Sequence, residues 1–173
     1  KNGAAAADIK IFDNSKVLIC PLDLDFEVER NTNNKQKNKE KKMFNSLENF
    51  WSSLGGQPKT LPISEHDRFF ACVSHFPHLV VFCLAYGLSQ SDFSSQALSL
   101  HGGGLKDTTR IAGASPDLWS DIIFDNKDEM LNLITQWTNN WENFANTLKN
   151  SDKRKFKELL AKASSWRNSF EIK

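Results

Sequence analysis

The sequence predicts a mainly α-helical fold, in which a helical domain over residues 63–173 follows a truncated α/β segment over residues 1–62. Apolar residues recur at helical spacing along the second part, whereas two short strand-like runs occur in the first. Two strands are too few for a sheet that is stable in water. We therefore expect the missing strands to lie upstream of Lys1.

The first part combines helical and extended runs. Residues 4–11 predict a short helical stretch, and residues 16–20 form a compact β-branched run. Residues 29–42 are rich in Asn, Lys and Gln and predict a solvated loop. A helix follows and stops at Gly55, after which residues 57–62 predict a second strand. The apolar positions of that helix are Met43, Phe44, Leu47, Phe50, Trp51 and Leu54.

The second part opens with a long apolar run. Residues 69–88 contain no Lys, Arg, Asp or Glu over 20 positions, which is long enough to cross a bilayer. Ser74, His75, Pro77 and His78 interrupt the run, and no cluster of basic residues lies on one side of it. We therefore predict the central buried helix of a protein that does not span a membrane.

The remaining helices are predicted from their starts and their apolar stripes. Three capping patterns mark starts, namely Ser64 with Asp67, Ser115 before Pro116, and Asp125 with Asp128 around Asn126. The last two helices each carry one apolar stripe, which we expect to pack on the other stripe or on a second subunit. The stripes are Met130, Ile134, Trp137, Trp141, Phe144 and Leu148, and Phe156, Leu159, Leu160, Ala163, Trp166 and Phe170.

Composition narrows the classes of partner. Lys and Arg total 22 against 21 Asp and Glu, so the net charge of +1 provides no basic field that would attract nucleic acid or anionic lipid. The three cysteines lack C-x-x-C and zinc-finger spacing, which argues against a disulfide framework and a cysteine metal site. A cytoplasmic location fits this cysteine usage.

The first polar cluster lies inside the apolar run. His75 and His78 are one helical turn apart, which suggests metal binding, but H-x-x-H supplies only two ligands and no Glu adjoins it. We therefore predict no metal site. Buried imidazoles need hydrogen-bond partners, and Pro77 removes a backbone donor from the helix.

The second polar cluster is the run HGGGLKDTTRIA at residues 101–112. Three glycines before a helix start let backbone N–H groups approach an anion, and Lys106 and Arg110 lie four apart on one helical face. The alternative is a flexible turn followed by a solvated pair of Asp107 and Arg110. Neither G-x-G-x-x-G nor G-x-x-x-x-G-K-[ST] occurs in the chain, so it contains no phosphate loop of these kinds.

Together these clusters resemble the prephenate/arogenate dehydrogenase family of tyrosine biosynthesis. The resemblance covers most of the chain, although residues 29–42 and the last 30 residues match only in character. The matching segments are His66-Asp67, SHFPH at residues 74–78, GGGLKDTTRIA at 102–112, SPDLWSDI at 115–122, and Lys1-Asn2-Gly3, Phe12 and residues 16–21, which are similar to the end of that family's nucleotide-binding domain.

The resemblance implies a Rossmann-type remnant followed by a helical dimerisation and substrate-binding domain. It implies an oxidative decarboxylation, of prephenate to 4-hydroxyphenylpyruvate or of arogenate to tyrosine, in which hydride leaves the ring carbon that bears the hydroxyl. NAD or NADP would be held mainly by a domain outside this chain, as would the catalytic histidine, so the chain alone is expected to be inactive. A cytoplasmic homodimer is expected.

The resemblance also implies roles for individual residues in binding the substrate. Arg110 would hold the ring carboxylate, and His78 would lie near the pyruvyl or alanyl side chain, which slightly favours prephenate. The other implied substrate-binding residues are Ser74 in the pocket, Trp119 near the ring, and Lys106 and Asp107 at the pocket mouth. The alternative function is a helical interaction or dimerisation module without catalysis, which would have no reason to gather these side chains.

Overall fold

A computed structural model describes residues 8–21, 34–92 and 94–171, without the side chains at positions 9, 34–40, 94, 97 and 171. Contacts divide the chain into two compact units, Lys1–Phe69 and Phe70–Lys173. The described elements are β1 (Lys16–Ile19), α1 (Asn34–Ser53), β2 (Gln57–Thr60), α2 (Ile63–Phe70), a π turn (Ala71–His75), α3 (Phe76–Ser89), α4 (Ser94–Ser99), α5 (Gly103–Thr109), α6 (Pro116–Asp125), α7 (Lys127–Lys149), α8 (Lys153–Asn168) and 3₁₀ turns at Ile9–Phe12, Arg110–Gly113 and Ser169–Glu171.

The first unit contains a strand, helix and strand in that order. β1 and β2 pair in parallel, with Lys16 opposite Gln57, and α1 makes the crossover that parallel strands require. Both predicted strands are therefore confirmed. The aromatic ring of Phe12 lies 5.7 Å from that of Trp51, which holds α1 beside the start of β1.

The polar stretch predicted as a loop is partly helical. Residues 34–42 form the first half of α1, whereas residues 29–33 lie outside the described residues. Lys, Gln and Glu are good helix formers, and this half extends an end of the helix that packing already anchors. Of the predicted stretch 4–11, only the end is described, and it is a 3₁₀ turn at Ile9–Phe12 capped by the side chain of Asp8.

The end of α1 follows the prediction. Gly55 has a φ of +88°, the left-handed conformation that a glycine after a helix provides. Its carbonyl accepts a hydrogen bond of 2.8 Å from the backbone N–H of Asn14. A Cβ at this position would lie 2.6 Å from Oδ1 of Asp13, so any larger side chain requires a shift.

The long apolar segment is helical from Ile63 to Ser89 and has the length and composition of a membrane span. The π turn interrupts it, closed by a bond from the Phe76 N–H to the Ala71 carbonyl. Pro77 follows in the first turn of α3, where a missing N–H is tolerated. The helix begins at Ile63, so Ser64 lies inside its first turn and the predicted cap is wrong; Asp67 instead pairs with His66, 3.0 Å away.

The predicted burial of this segment is met at few positions. Ala71 is 0% and Phe76 6% exposed, and with Met130 of α7 they form the core of the second unit, flanked by Leu79, Val80, Ile123 and Leu133. Val73 and Tyr86 are each 69% exposed. In the most apolar 18 residues of this helix, only 11% of the residues are buried. The helix therefore packs on the rest of the chain with one face and leaves the other face exposed.

Of three predictions for the later helices, the Ser115 cap and the contact between the two apolar stripes are confirmed, and the Asp125 cap is wrong. The Ser115 hydroxyl accepts a bond from the Leu118 N–H ahead of Pro116, so the predicted cap of α6 is confirmed. The rings of Phe144 and Phe156 lie 5.7 Å apart and join α7 to α8, as their stripes predict. The Asp125 cap is wrong, because Asn126 occupies the N-cap position of α7.

Much of the two stripes faces solvent in one copy. Trp141 of α7 is 72% exposed, and Trp166 of α8 is 67% exposed. The sequence left open whether these stripes cover each other or a second subunit. Phe144 and Phe156 meet within the chain, and the exposed positions stay available for another surface.

Cys20 differs from the other two cysteines in its surroundings. It is half-buried, whereas Cys72 and Cys83 are exposed. Partial burial raises the pKa of the Cys20 thiol above its ordinary value, and the negative charge of Asp67 raises it further. Cys20 is therefore a protonated, weakly nucleophilic thiol at neutral pH.

We expect Gly55→Ala to lower the free energy of unfolding by about 1–2 kcal/mol, because it places a Cβ at positive φ against Asp13. Urea unfolding followed by circular dichroism measures this loss. Gly87→Ala is the matched control, because Gly87 lies in α3 with no atom within 4 Å of an added Cβ. Equal losses in the two variants would contradict the explanation.

We also expect Asp67→Asn to lower the pKa of Cys20, since it removes the charge that opposes thiolate formation. In a background with Cys72→Ser and Cys83→Ser, the rate of alkylation by iodoacetamide between pH 7 and 10 reports the thiolate fraction. The titration curve of the variant should lie at lower pH than that of its parent. Superimposed curves would show that Asp67 has no influence.

Candidate functional site

Three rings from two helical segments of the second unit meet in a His–Trp cluster, defined by His75, His78 and Trp119. The indole of Trp119 on α6 stacks on the imidazole of His78, with centroids 3.6 Å apart and planes 18° from parallel. His75 meets the same indole edge-on, at 6.5 Å and 74°. The cluster is half-buried, so part of it is reachable by a ligand.

The backbone of the helix fixes the proton of His78. Its Nδ1 lies 2.9 Å from the carbonyl oxygen of Ser74, which only accepts hydrogen bonds, so Nδ1 donates. In the neutral ring, Nε2 is then an acceptor, and in the protonated ring it is a second donor. Ser74 thereby orients His78 through its backbone, while its own side chain is half-buried.

His75 carries its proton on the other nitrogen. The side-chain Nδ2 of Asn126 lies 3.3 Å from Nδ1 of His75 and donates to it, which leaves the proton of the neutral ring on Nε2. Asn126 is only 9% exposed. When both rings are neutral, the two histidines, three residues apart, therefore hold opposite tautomers.

The three charged candidates, Lys106, Asp107 and Arg110, lie on segments that pack against α3. Both α5, which contains Lys106 and Asp107, and the 3₁₀ turn that begins with Arg110 contact α3. The three side chains are exposed. Within the described residues none of the three makes a hydrogen bond or ion pair, so the solvated pair of Asp107 and Arg110 is not formed. The structure joins His78, Trp119 and the Ser74 backbone directly and brings only the segment of Arg110 to their helix.

The three glycines do not precede a helix as predicted, because α5 begins at Gly103. Gly102 is extended, with φ −97° and ψ −179°, and a Cβ added at any of the three would meet no atom within 4 Å. Neither packing nor a left-handed backbone therefore requires glycine there. The space in front of these residues is open.

Among the described residues, no three His, Cys, Asp or Glu side chains come together as metal ligands. His75 and His78 instead engage Asn126 and the Ser74 carbonyl through their Nδ1 atoms. In the cluster, both rings form hydrogen bonds and aromatic contacts.

A sequence model described as "Prephenate dehydrogenase, dimerization domain" matches residues 62–162, which is more than half of the chain. The chain belongs to this family. The match covers the His–Trp cluster, the glycine triplet and Arg110, and it ends within α8.

Individual relatives agree with the family. The prephenate dehydrogenase of Bacillus subtilis (strain 168) is 24% identical over 174 residues, which cover 100% of this chain and 43% of that protein. A crystal structure of prephenate dehydrogenase from A. aeolicus, in complex with hydroxyphenyl propionate and NAD⁺, aligns with a TM-score of 0.76 and 25% identity over 98% of this chain and 55% of that one.

The fold is shared with a further enzyme. The crystal structure of Synechocystis arogenate dehydrogenase aligns with a TM-score of 0.72 and 20% identity, over 93% of this chain and 54% of that one. The chain thus spans about half the length of the relatives that it matches. The prephenate dehydrogenase dimerisation domain accounts for the mainly helical fold that the sequence predicts.

The hydrogen bond between His75 and Asn126 was missed in the sequence. The sequence indicates that His75 needs a hydrogen-bond partner but does not indicate which one, and it marks Asn126 only as a helix start. The two residues are 51 positions apart, and no local pattern joins them. The sequence signal at Asn126 is local: an Asn, a good capping residue, stands at the start of α7.

Proposed function

We propose that this chain is the C-terminal part of an NAD(P)-dependent prephenate or arogenate dehydrogenase that acts in the cytoplasm in tyrosine biosynthesis. The observation that carries the proposal is the stack of Trp119 on His78, on a helix that the segment of Arg110 also contacts, in a domain of the prephenate dehydrogenase family. Residues 1–62 would be the end of a nucleotide-binding domain, and residues 63–173 the dimerisation and substrate-binding domain.

Arg110 is suited to hold the ring carboxylate of the substrate. Its guanidinium is exposed and has no anionic partner within the described residues. The planar fork of an arginine binds a carboxylate through two parallel hydrogen bonds, and such charge-assisted bonds contribute about 1.5–3 kcal/mol net. Lysine provides the charge but not the fork.

His78 would bind the side chain at the other end of the substrate. Because Nδ1 donates to Ser74, Nε2 is the nitrogen that remains for a ligand. A protonated His78 donates from Nε2 to a keto acid, whereas the ammonium group of arogenate needs an acceptor. A donor at this position suits the keto acid of prephenate and an acceptor suits the ammonium group of arogenate, so the comparison of the two substrates reports which form of His78 binds.

Trp119 and the remaining candidates would shape the pocket around these two contacts. The Trp119 indole offers a flat apolar surface to the substrate ring while its stacking holds His78. Ser74 would line the same pocket, and Lys106 and Asp107 would form a polar network at its mouth.

The cofactor would be held mainly by residues outside this chain. The chain contains no G-x-G-x-x-G dinucleotide-binding motif. We assign no catalytic base to this chain and expect it to be inactive by itself. The A. aeolicus enzyme was crystallised with NAD⁺, which makes NAD the first cofactor to assay, with NADP as the second.

A homodimer would explain the exposed apolar faces. Val73 and Tyr86 of the long helical segment and Trp141 of α7 are each more than two-thirds exposed, which is unusual for large apolar side chains gathered on helix faces. The family model that matches residues 62–162 is described as a dimerisation domain. We propose that a second copy covers these faces.

In the intact enzyme, we expect Arg110→Ala to raise KM for prephenate or arogenate by about tenfold or more, because the loss of a charge-assisted carboxylate contact removes about 1.5–3 kcal/mol. Arg110→Lys should recover only part of this loss. Steady-state assays with both substrates and both cofactors measure it. Arg154→Ala is the control, because Arg154 is an exposed arginine of α8 that forms a 3.9 Å ion pair with Glu158.

Two outcomes of these assays would contradict the proposal. An unchanged KM in Arg110→Ala would remove Arg110 from the substrate site. An intact wild-type protein that turns over neither substrate with either cofactor would favour the alternative, a helical interaction module without catalysis.

We expect the intact protein to have the mass of two chains at micromolar concentration in light scattering coupled to gel filtration. Trp141→Glu should shift it towards one chain, because a charge replaces an apolar side chain in the proposed interface. Asn139→Glu is the control, since position 139 lies about 200° around α7 from position 141. A monomeric wild type, or equal dissociation of both variants, would argue against this interface.

A further inference from the structure

The side chain of Asn126 does not cap the helix that it precedes. Asn126 is the N-cap residue of α7, and an Asn at such a position commonly accepts a hydrogen bond from the N–H of the second or third helical residue. The Asn126 side chain makes no such bond. Its amide instead donates to Nδ1 of His75, at 3.3 Å, from a site only 9% exposed.

This hydrogen bond and the stack of Trp119 on His78 both link the α6 segment to the long apolar helix, in addition to the packing of Ile123 beside Ala71 and Phe76. Trp119 and Asn126 are seven residues apart, so the two links are separated by about 10 Å along α6. Their partners, His75 and His78, lie within one turn of each other on the apolar helix. Because these two contacts lie at separate points of α6, together they prevent α6 from rotating about either contact.

His75 connects the two links. It accepts a hydrogen bond from the Asn126 amide on one nitrogen, and its ring makes an edge contact with the Trp119 indole, at 6.5 Å and 74°. If the ring of His75 turned, the Trp119 indole would lose its contact with that ring. The orientation of His75 therefore constrains the ring that stacks on His78.

We propose that Asn126 is a positioning residue for the substrate pocket: its amide fixes the tautomer and orientation of His75, and through Trp119 it holds His78 in place. The effect of Asn126 on substrate binding rests on the proposed function. The coupling of Asn126 to the orientation of the His78 ring is independent of the proposed function.

Selective labelling of histidine with ¹³C and ¹⁵N in the intact protein, without substrate, tests this coupling. In the wild type, the ring current of the stacked indole should shift the His78 ring protons upfield, and ¹⁵N shifts should show the His75 proton on Nε2. Asn126→Ala should reduce the upfield shift of His78 at least twofold. Trp119→Leu should abolish it and so assign it.

Asn126→Asp separates a positioning role from a general packing role. A carboxylate has no proton to donate, so the bond can persist only if His75 carries a proton on Nδ1 and donates it, either as the other neutral tautomer or as the imidazolium. We expect the ¹⁵N spectrum to show this proton on Nδ1 and the His78 shift to return to near its wild-type value. Thr147→Val is the control, because Thr147 is 5% exposed on α7 and its hydroxyl bonds within that helix; it should alter neither signal.

The kinetic part uses the same variants of the intact enzyme. Asn126→Ala should raise KM about three- to tenfold, the range expected for one hydrogen bond, and change kcat less than about twofold. Asn126→Asp should restore KM, and Thr147→Val should leave it unchanged. Melting followed by circular dichroism establishes that each variant is folded.

Each outcome has one meaning. A wild-type His78 shift in folded Asn126→Ala, or an equal defect in Asn126→Asp and Asn126→Ala, would overturn the proposal, as would a raised KM with an unmoved His78 ring. If the His78 shift responds as described but the wild-type enzyme turns over neither substrate, the positioning role stands and the proposed function is wrong.

Discussion

The packing of Met130 against the π turn is the constraint on which the rest of the second unit depends. Ala71, fully buried at the first position of that turn, is small enough to let α7 approach closely. Met130 lies four residues after Asn126, and Ala71 lies four residues before His75. The apolar contact therefore also sets the register of the polar one, since Asn126 and His75 stand one turn away from the residues that meet in the core.

Elements with a local chemical signal could be predicted from the sequence. Ser115 before Pro116 determines where α6 begins because the cap and the restricted proline act within one turn. Gly55 ends α1 because its left-handed backbone is a local property. The polar residues 34–42 misled the prediction for the opposite reason: their composition suits both a loop and an exposed helix, and the adjoining apolar half decides between them.

The candidate site likewise contains residues that a sequence motif indicates and contacts that no local motif indicates. His78 and Trp119 were identified through a resemblance of motifs, and the structure stacks them on each other. The π turn and the bond from Asn126 to His75 have no local signal, because each depends on a packing partner about 50 residues away in the chain. A histidine pair judged from sequence alone suggests metal binding, whereas in the structure the two rings, when neutral, hold opposite tautomers and meet one indole.

The small buried apolar set of a single copy has a consequence for how this protein is handled. Of the residues described, Leu61, Ala71, Phe76 and Met130 are the buried hydrophobic ones, so each unit has little apolar burial with which to offset the conformational entropy of folding. Whatever covers the open helix faces then stabilises the chain by mass action. If a second copy covers these faces, as we propose, dilution will lower the melting temperature, because separated chains expose apolar surface. In such a homodimer, a substitution far from the His–Trp cluster can weaken pairing, and so lower activity in a dilute assay, while leaving the geometry of the site unchanged.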